Sequence, residues 1–149
     1  AKATEDTAQL YLQGAFNLLR RHPEGRKTPD ELLHKVINLL QRGLEISRDT
    51  ERRFIMMKLL ADRFIRFNNL AAAEKVINQI SLEGIAKNKH WTLDELKGEL
   101  EVLKGNPRLA IDYLHKAVEL APDEKNKTSI RKKRDRLRLR YHSAGGAGS

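Results

Sequence analysis

The chain has 149 residues, 40% of them hydrophobic, and 29 Lys and Arg stand against 20 Asp and Glu for a net charge of +9. This length suffices for one compact core or one short stack of helices, so we predict a single domain. Cysteine is absent, which excludes disulfides and thiolate metal sites, and no run approaches the roughly 18 apolar residues that span a bilayer. Because residues 1–8 also lack an apolar signal segment, we expect a cytoplasmic protein.

Apolar residues recur at three- and four-residue spacing almost throughout the chain, which is typical of successive amphipathic helices. Three helix starts are marked by sequence signals. Thr28 and Thr92 each precede a Glu by three residues, as in a capping box, and Asn106 stands directly before a proline. The predicted helices span residues 6–21, 29–46, 50–67, 70–80, 92–104, 107–120 and 127–141.

An internal repeat organises these helices. Gly43, Ile80 and Ala117 are spaced 37 residues apart, and the ten-residue segments that they close align without gaps. Such a period, with one helix pair per unit, is the signature of a helical solenoid. We therefore predict an all-α fold, an α-solenoid of three helix-turn-helix pairs with a C-terminal capping helix, in a single domain over residues 1–142. The pairs cover residues 6–46, 50–80 and 92–120, and the cap covers 127–141.

The second and third units resemble tetratricopeptide repeats. The third unit carries the resemblance through Gly98, Gly105, Ala110, Leu114, Ala117 and Pro122, and the second through Leu60, Ala61, Phe64, Asn68 and Ala73. Lys97 and Glu101 depart from the family, which usually has apolar residues there. The resemblance implies a right-handed solenoid whose first helices line a concave groove, and a function as a protein–protein interaction scaffold.

The groove that this resemblance implies is of mixed character. Its expected partner-binding residues are Tyr11, Ile55, Lys58, Leu59, Asp62, Arg66, Glu95 and Glu99, with Ala15, Leu18, Ile65, Leu96 and Val102 beside them. Carboxylates in this set would repel a partner's C-terminal carboxylate, so a basic or mixed amphipathic peptide or helix is the expected partner. An alternative stays open, in which Lys58, Asp62 and Arg66 form a charge ladder that stabilises only their own helix.

Nearly all of the excess charge lies near the C-terminus. Residues 125–142 contain nine Lys and Arg against one Asp, which is +8 of the chain's +9. A polar cap explains a charged helix but not its sign, so contact with RNA or DNA, with anionic lipid or with an acidic protein surface is the alternative function. The expected contact residues are Arg131, Lys132, Arg134 and Arg138.

No catalytic constellation is recognisable in the sequence. The five histidines are scattered without metal-ligand spacing, and no nucleophile elbow or complete phosphate loop is present. The carboxylates of Asp94, Glu95, Glu99 and Glu101 are better explained as a solvated helix face than as acid and base. We therefore expect no enzyme activity, no metal and no cofactor, while a homo-oligomer stays possible. Residues 143–149 are read as a flexible tail or linker.

Overall fold

The computed structural model describes residues 2–21 and 30–145, and this part of the chain is helical without any strand. The predicted all-α fold with about seven helices is confirmed. The helices are α1 (Lys2–Arg20), α2 (Asp30–Ile46), α3 (Thr50–Arg66), α4 (Leu70–Glu83), α5 (His90–Lys104), α6 (Pro107–Leu120) and α7 (Glu124–Gly145), and a 3-10 turn spans Lys87–Lys89. No described helix is long and apolar enough to cross a membrane.

Several helix ends differ from their prediction for local reasons. The helix expected at Thr92 begins at His90, and the Thr92 hydroxyl donates to the Lys89 carbonyl at 2.5 Å instead of accepting a backbone N–H, so that capping box is wrong. α7 begins at Glu124 because the Asp123 carboxylate accepts the Asn126 N–H at 2.8 Å. α7 also includes residues 143–145, so the predicted tail over residues 143–149 begins too early in the chain. The capping box at Thr28, the loop at 22–27 and residues 146–149 lie outside the described residues.

Contacts within the chain divide it into two compact units, residues 1–76 and 77–149, with the boundary inside α4. In the first unit, α2 packs against both α1 and α3. Gly43 permits this, because a Cβ at that position would lie 2.7 Å from Met56 Cε and 3.5 Å from Tyr11 Cβ. Val36, Leu40 and Met56 are fully buried there, and burial of each such side chain contributes about 1.5–3 kcal/mol. The single domain over residues 1–142 stays a prediction.

In the second unit, α6 packs against α5 on one side and α7 on the other. The core joins α6 and α7 through Leu114, Val118, Ile130 and Leu137, and Trp91 of α5 packs against this cluster. α7 is therefore held on the core by its apolar residues Ile130 and Leu137.

The 37-residue step seen in the sequence recurs in the backbone hydrogen bonds of the second helices. The last turns of α2, α4 and α6 end on the same bond at equivalent residues. These bonds run from Ser47 N to Gly43 O at 2.9 Å, from Gly84 N to Ile80 O at 3.2 Å, and from Ala121 N to Ala117 O at 2.9 Å.

The turns inside the second and third pairs are also equivalent. Asn68 and Gly105, 37 residues apart, adopt the left-handed conformation with φ of 60° and 79°. In both turns the next residue, Asn69 or Asn106, donates its N–H to a carbonyl five residues back, at 2.9 Å, which closes a Schellman motif. Matching backbone geometry at this spacing shows that the two pairs share their turn structure as well as their apolar pattern.

α7 begins where a fourth unit would begin. Asp49 caps α3 by accepting the Arg52 N–H at 2.8 Å, and Asp123, twice 37 residues further on, caps α7 in the same way at 2.8 Å. Buried apolar residues follow at the same place in α3, α5 and α7, namely Met56, Leu93 and Ile130. α7 is therefore built like the first helix of a pair.

Candidate binding surfaces

α3 carries five of the predicted groove residues on its more exposed side. Ile55 is 36% exposed, and Lys58 and Arg66 are exposed. Asp62 accepts from Arg66 Nε at 3.2 Å and also contacts the Arg63 guanidinium. The charge ladder expected from the sequence is thus formed between Asp62 and Arg66, beside an apolar side chain that solvent reaches. Leu59 is half-buried on the same helix.

α1 presents a different face from the one that the sequence suggested. Tyr11 lies close to Gly43 of α2, while Ala15, expected in the groove, is fully buried. Leu96 of α5 is also buried, so the expectation that these two residues face a partner was wrong: both are core residues. The side of α1 that meets α3 is marked by Gln9, whose amide oxygen accepts from Arg52 Nε at 3.0 Å.

Phe16 lies two helical turns beyond Gln9, on the same side of α1, and is 36% exposed. Phe16 was not predicted to be in the groove, because apolar spacing alone does not show which side of α1 stays exposed.

Glu5 forms an unpredicted polar cluster that joins α1 to the start of α3. Its carboxylate accepts from Ser47 Oγ at 2.9 Å, Arg52 Nη1 at 2.6 Å and the backbone N–H groups of Arg48 and Asp49 at 2.5 and 3.2 Å. The bond from the Arg48 N–H is the largest cause that lowers the pKa of Glu5 to about 2, with further lowering from Ser47, Arg52 and Asp49 against an opposing effect of desolvation.

Because the folded pKa of Glu5 lies below its ordinary value of 4.5, its carboxylate stabilises the fold above about pH 4.5, and this contribution is lost as the pH falls towards 2. We expect Glu5→Gln to lower the melting temperature at pH 6, and the difference from wild type to shrink steadily below pH 4.5. Melting followed by circular dichroism from pH 2 to pH 7 measures this. Glu45→Gln, at an exposed residue of α2, is the matched control, and an equal pH dependence for both variants would contradict the assignment.

In the second unit, the predicted groove residues Glu95 and Glu99 are engaged within the chain. Lys133 of α7 donates to Glu95 Oε2 at 3.0 Å and to Glu99 Oε1 at 2.7 Å. Burial acts to lower the pKa of Lys133, but the two carboxylates outweigh it, and the pKa is raised. The two carboxylates therefore help to hold α7 against α5, and one of the basic residues near the C-terminus is compensated internally.

The four carboxylates that the sequence places together on α5 lie in three different environments. Glu95 and Glu99 bind Lys133. Glu101, at a position that is apolar in the resembled family, is buried and accepts from Asn106 Nδ2 at 2.8 Å. The Asn106 side-chain amide thus binds Glu101, and the Asn106 side chain forms no capping hydrogen bond at the start of α6.

Asp94 is the fourth carboxylate, and it belongs to the side of α5 that meets α6. Burial raises its pKa, and the charges of Lys97, Lys116 and His90 act against that rise. Lys97 and Lys116 also lie over the Tyr113 ring, 5.9 and 5.8 Å from its centroid. Within residues 2–21 and 30–145, no group of three His, Cys, Asp or Glu side chains is arranged to hold a metal ion.

No protein-family model matches the chain, and searches of curated proteins and of solved structures found no match either.

The predicted anion-contact residues of α7 fall into two classes. Arg134 is largely buried, and donates to Asp135 Oδ1 at 3.2 Å, with His115 Nδ1 3.4 Å away. Arg131 forms an ion pair with Glu124 at 3.4 Å. Lys132 and Arg138 are exposed and form no ion pair within the described part of the chain. The structure therefore leaves two of the four residues available to an outside partner.

Proposed function

We propose that this protein is a scaffold of the tetratricopeptide type that binds a peptide or helix of a partner protein on the α3 surface of its first unit. The α3 surface comprises Ile55, Lys58, Leu59, Asp62 and Arg66. The observation that carries the proposal is that Ile55 is partly exposed to solvent beside a row of charged side chains on α3. The N-terminal cap of α3 and the turn that follows the helix both recur elsewhere in the chain at multiples of 37 residues. Helical repeat proteins use such first-helix faces for recognition.

The charges of the α3 surface define the partner more narrowly than the sequence did. Asp62 is engaged by Arg63 and Arg66, and the five residues of the surface carry two positive charges against one negative charge, so the surface is net basic. The acidic pair expected to attract a basic peptide, Glu95 with Glu99, is held by Lys133. The proposed partner is therefore an amphipathic helix that combines apolar residues, which would contact Ile55, with acidic residues.

The test is selection of binding peptides from a library of helical sequences, followed by measurement of their dissociation constants. We expect the selected peptides to combine leucine or aromatic residues with Asp or Glu, and Ile55→Glu with Arg66→Glu to weaken binding at least about tenfold, because the apolar contact and the attraction are both lost. The control pairs Leu82→Glu with Arg42→Glu, an exposed Leu and an exposed Arg outside this surface. Equal losses in both variants would reject the α3 surface as the site.

A second candidate function is contact with an anionic partner, such as a nucleic acid, through α7. It is favoured by the exposed Lys132 and Arg138, which have no intramolecular ion pair within the described residues. A helix that only covers the end of the apolar core needs a polar outer side, but that side does not need an excess of positive charge.

A further inference from the structure

The outward side of α7 carries a row of basic residues, which we name the α7 stripe: Lys125, Lys132, Arg136 and Arg140. They recur at seven- and four-residue steps and so share one side of the helix. Ile130 and Leu137, which hold α7 on the core, lie on a different side of the helix from Lys125 and Lys132, whereas Arg140 follows Leu137 by three residues and borders the buried side. All four residues of the stripe are exposed, and within the described residues none of them forms an ion pair.

The acidic groups on or beside α7 are already engaged by other basic residues. Glu124 pairs with Arg131, Asp135 with Arg134, and the two α5 carboxylates with Lys133. Three basic residues of α7 are therefore compensated within the chain, whereas the four residues of the stripe, like Arg138, are exposed and form no ion pair among the described residues. The sequence showed the excess charge but not which residues carry it outwards.

We propose that the α7 stripe binds the phosphate backbone of a duplex nucleic acid without reading its sequence. The inference deepens the second candidate function and is independent of peptide binding at α3. From Lys125 to Arg140 the helix rises about 22 Å at 1.5 Å per residue, which follows about six to seven base pairs at 3.4 Å each. Lysine and arginine side chains along such a length neutralise successive phosphates.

Two other anionic surfaces fit the stripe less well. A helix that lies in a membrane interface needs a broad apolar face, whereas Ile130 and Leu137 are buried and, among the described side chains of α7, Leu139 at 70% is the exposed large apolar one. Single strands are bound largely by stacking of their bases on aromatic side chains. Tyr141 is the aromatic residue of α7, and it is partly buried. A duplex, whose backbone needs only charge at the right spacing, is the partner that these side chains fit.

The test is titration of a fluorescent 20-base-pair duplex of DNA or RNA with the full chain at about 50 to 200 mM salt. For the DNA duplex, four phosphate contacts predict a slope of log affinity against log salt of about −3.6. Lys132→Gln with Arg136→Gln removes two contacts, so we expect the slope to flatten to about −1.8 and the affinity at low salt to fall at least about tenfold. Lys125→Gln with Arg140→Gln should act alike.

The matched control is Arg42→Gln with Lys75→Gln, which removes the same charge from exposed residues of α2 and α4. It should keep the wild-type slope. Absence of binding at about 50 mM salt, or an equal change of slope in the control, would overturn the proposal. So would equally tight binding of poly-glutamate, of anionic vesicles or of a single strand. Peptide binding at α3, measured on the same variants, should be unchanged, which separates a failure here from a failure of that function.

Discussion

Gly98→Val is expected to lower the free energy of unfolding of the second unit by about 3 kcal/mol, at the upper end of the usual effect of overpacking. Gly98 is where α5 crosses α6. A Cβ placed there would lie 3.0 Å from both Cγ and Cδ2 of Leu114 and 3.3 Å from the Ala110 carbonyl oxygen. The Leu114 side chain is buried and the carbonyl belongs to the backbone, so neither can move away freely. Two further methyl groups therefore force the helices apart.

Gly98→Ala is the informative comparison, because its two effects oppose each other. Alanine gains about 1 kcal/mol over glycine in a helix interior, and this gain offsets part of the close contact with Leu114. We expect a net change within about 1 kcal/mol for alanine. Trp91, the only tryptophan, packs against the core of the second unit, so urea unfolding followed by its fluorescence measures both variants. Lys132→Val, exposed on α7 of the same unit, controls for the low helix propensity of valine. A similar loss for Lys132→Val and Gly98→Val would show that the crossing is not tightly packed.

Ile130→Ala is expected to lower the free energy of unfolding of the same unit by about 3 kcal/mol, within the usual range for large-to-small core substitutions. Ile130 is 1% exposed and is the most deeply buried of the α7 residues from 124 to 141. Its loss leaves α7 attached through Leu137 and the ion pairs of Lys133. We expect the amide protons of α7 to exchange with solvent faster than those of α5 and α6.

Lys133→Met tests how much of this attachment is electrostatic. The Lys133 side chain is 42% exposed, so solvent screens its ion pairs, and we expect their loss to lower the stability by at most about 1 kcal/mol. Thr128→Ala, exposed on α7, should change the stability by less than about 0.5 kcal/mol. A larger effect for Lys133→Met than for Ile130→Ala would mean that α7 is held by charge rather than by apolar packing.

Much of the helical architecture was predictable because its signals are local. The start of α6 at Pro107 and the ends of α2, α5 and α6 follow from proline, glycine and apolar spacing, which act within a few residues. The start of α7 was predictable in principle, because Asp123 stands 74 residues after Asp49, which caps α3. We instead placed the start of this helix at residue 127, within the run of basic residues. The start at Thr92 was wrong because the preceding 3-10 turn extends the helix backwards.

The candidate site was less predictable because pairing between distant residues decides which side chains remain available. Nothing near Glu5 in the sequence indicates that its carboxylate collects donors from residues 47–52. In the same way Lys133 and Glu95, far apart in the chain, compensate each other. The net charge of a sequence segment therefore overstates the number of charged side chains that are available to a partner. Burial likewise excludes Ala15 and Leu96 from the expected groove.

Asp135 gives α7 a property that the preceding first helices lack. It occupies the place of Ala61 and Gly98, which are small and buried, and its side chain is 60% exposed. A further second helix could not approach α7 there without burying a carboxylate, and Arg138, one turn on, adds to that desolvation cost. A carboxylate at this place thus opposes the packing of a further helix on that side of α7, much as charged residues protect the edge strand of a β-sheet.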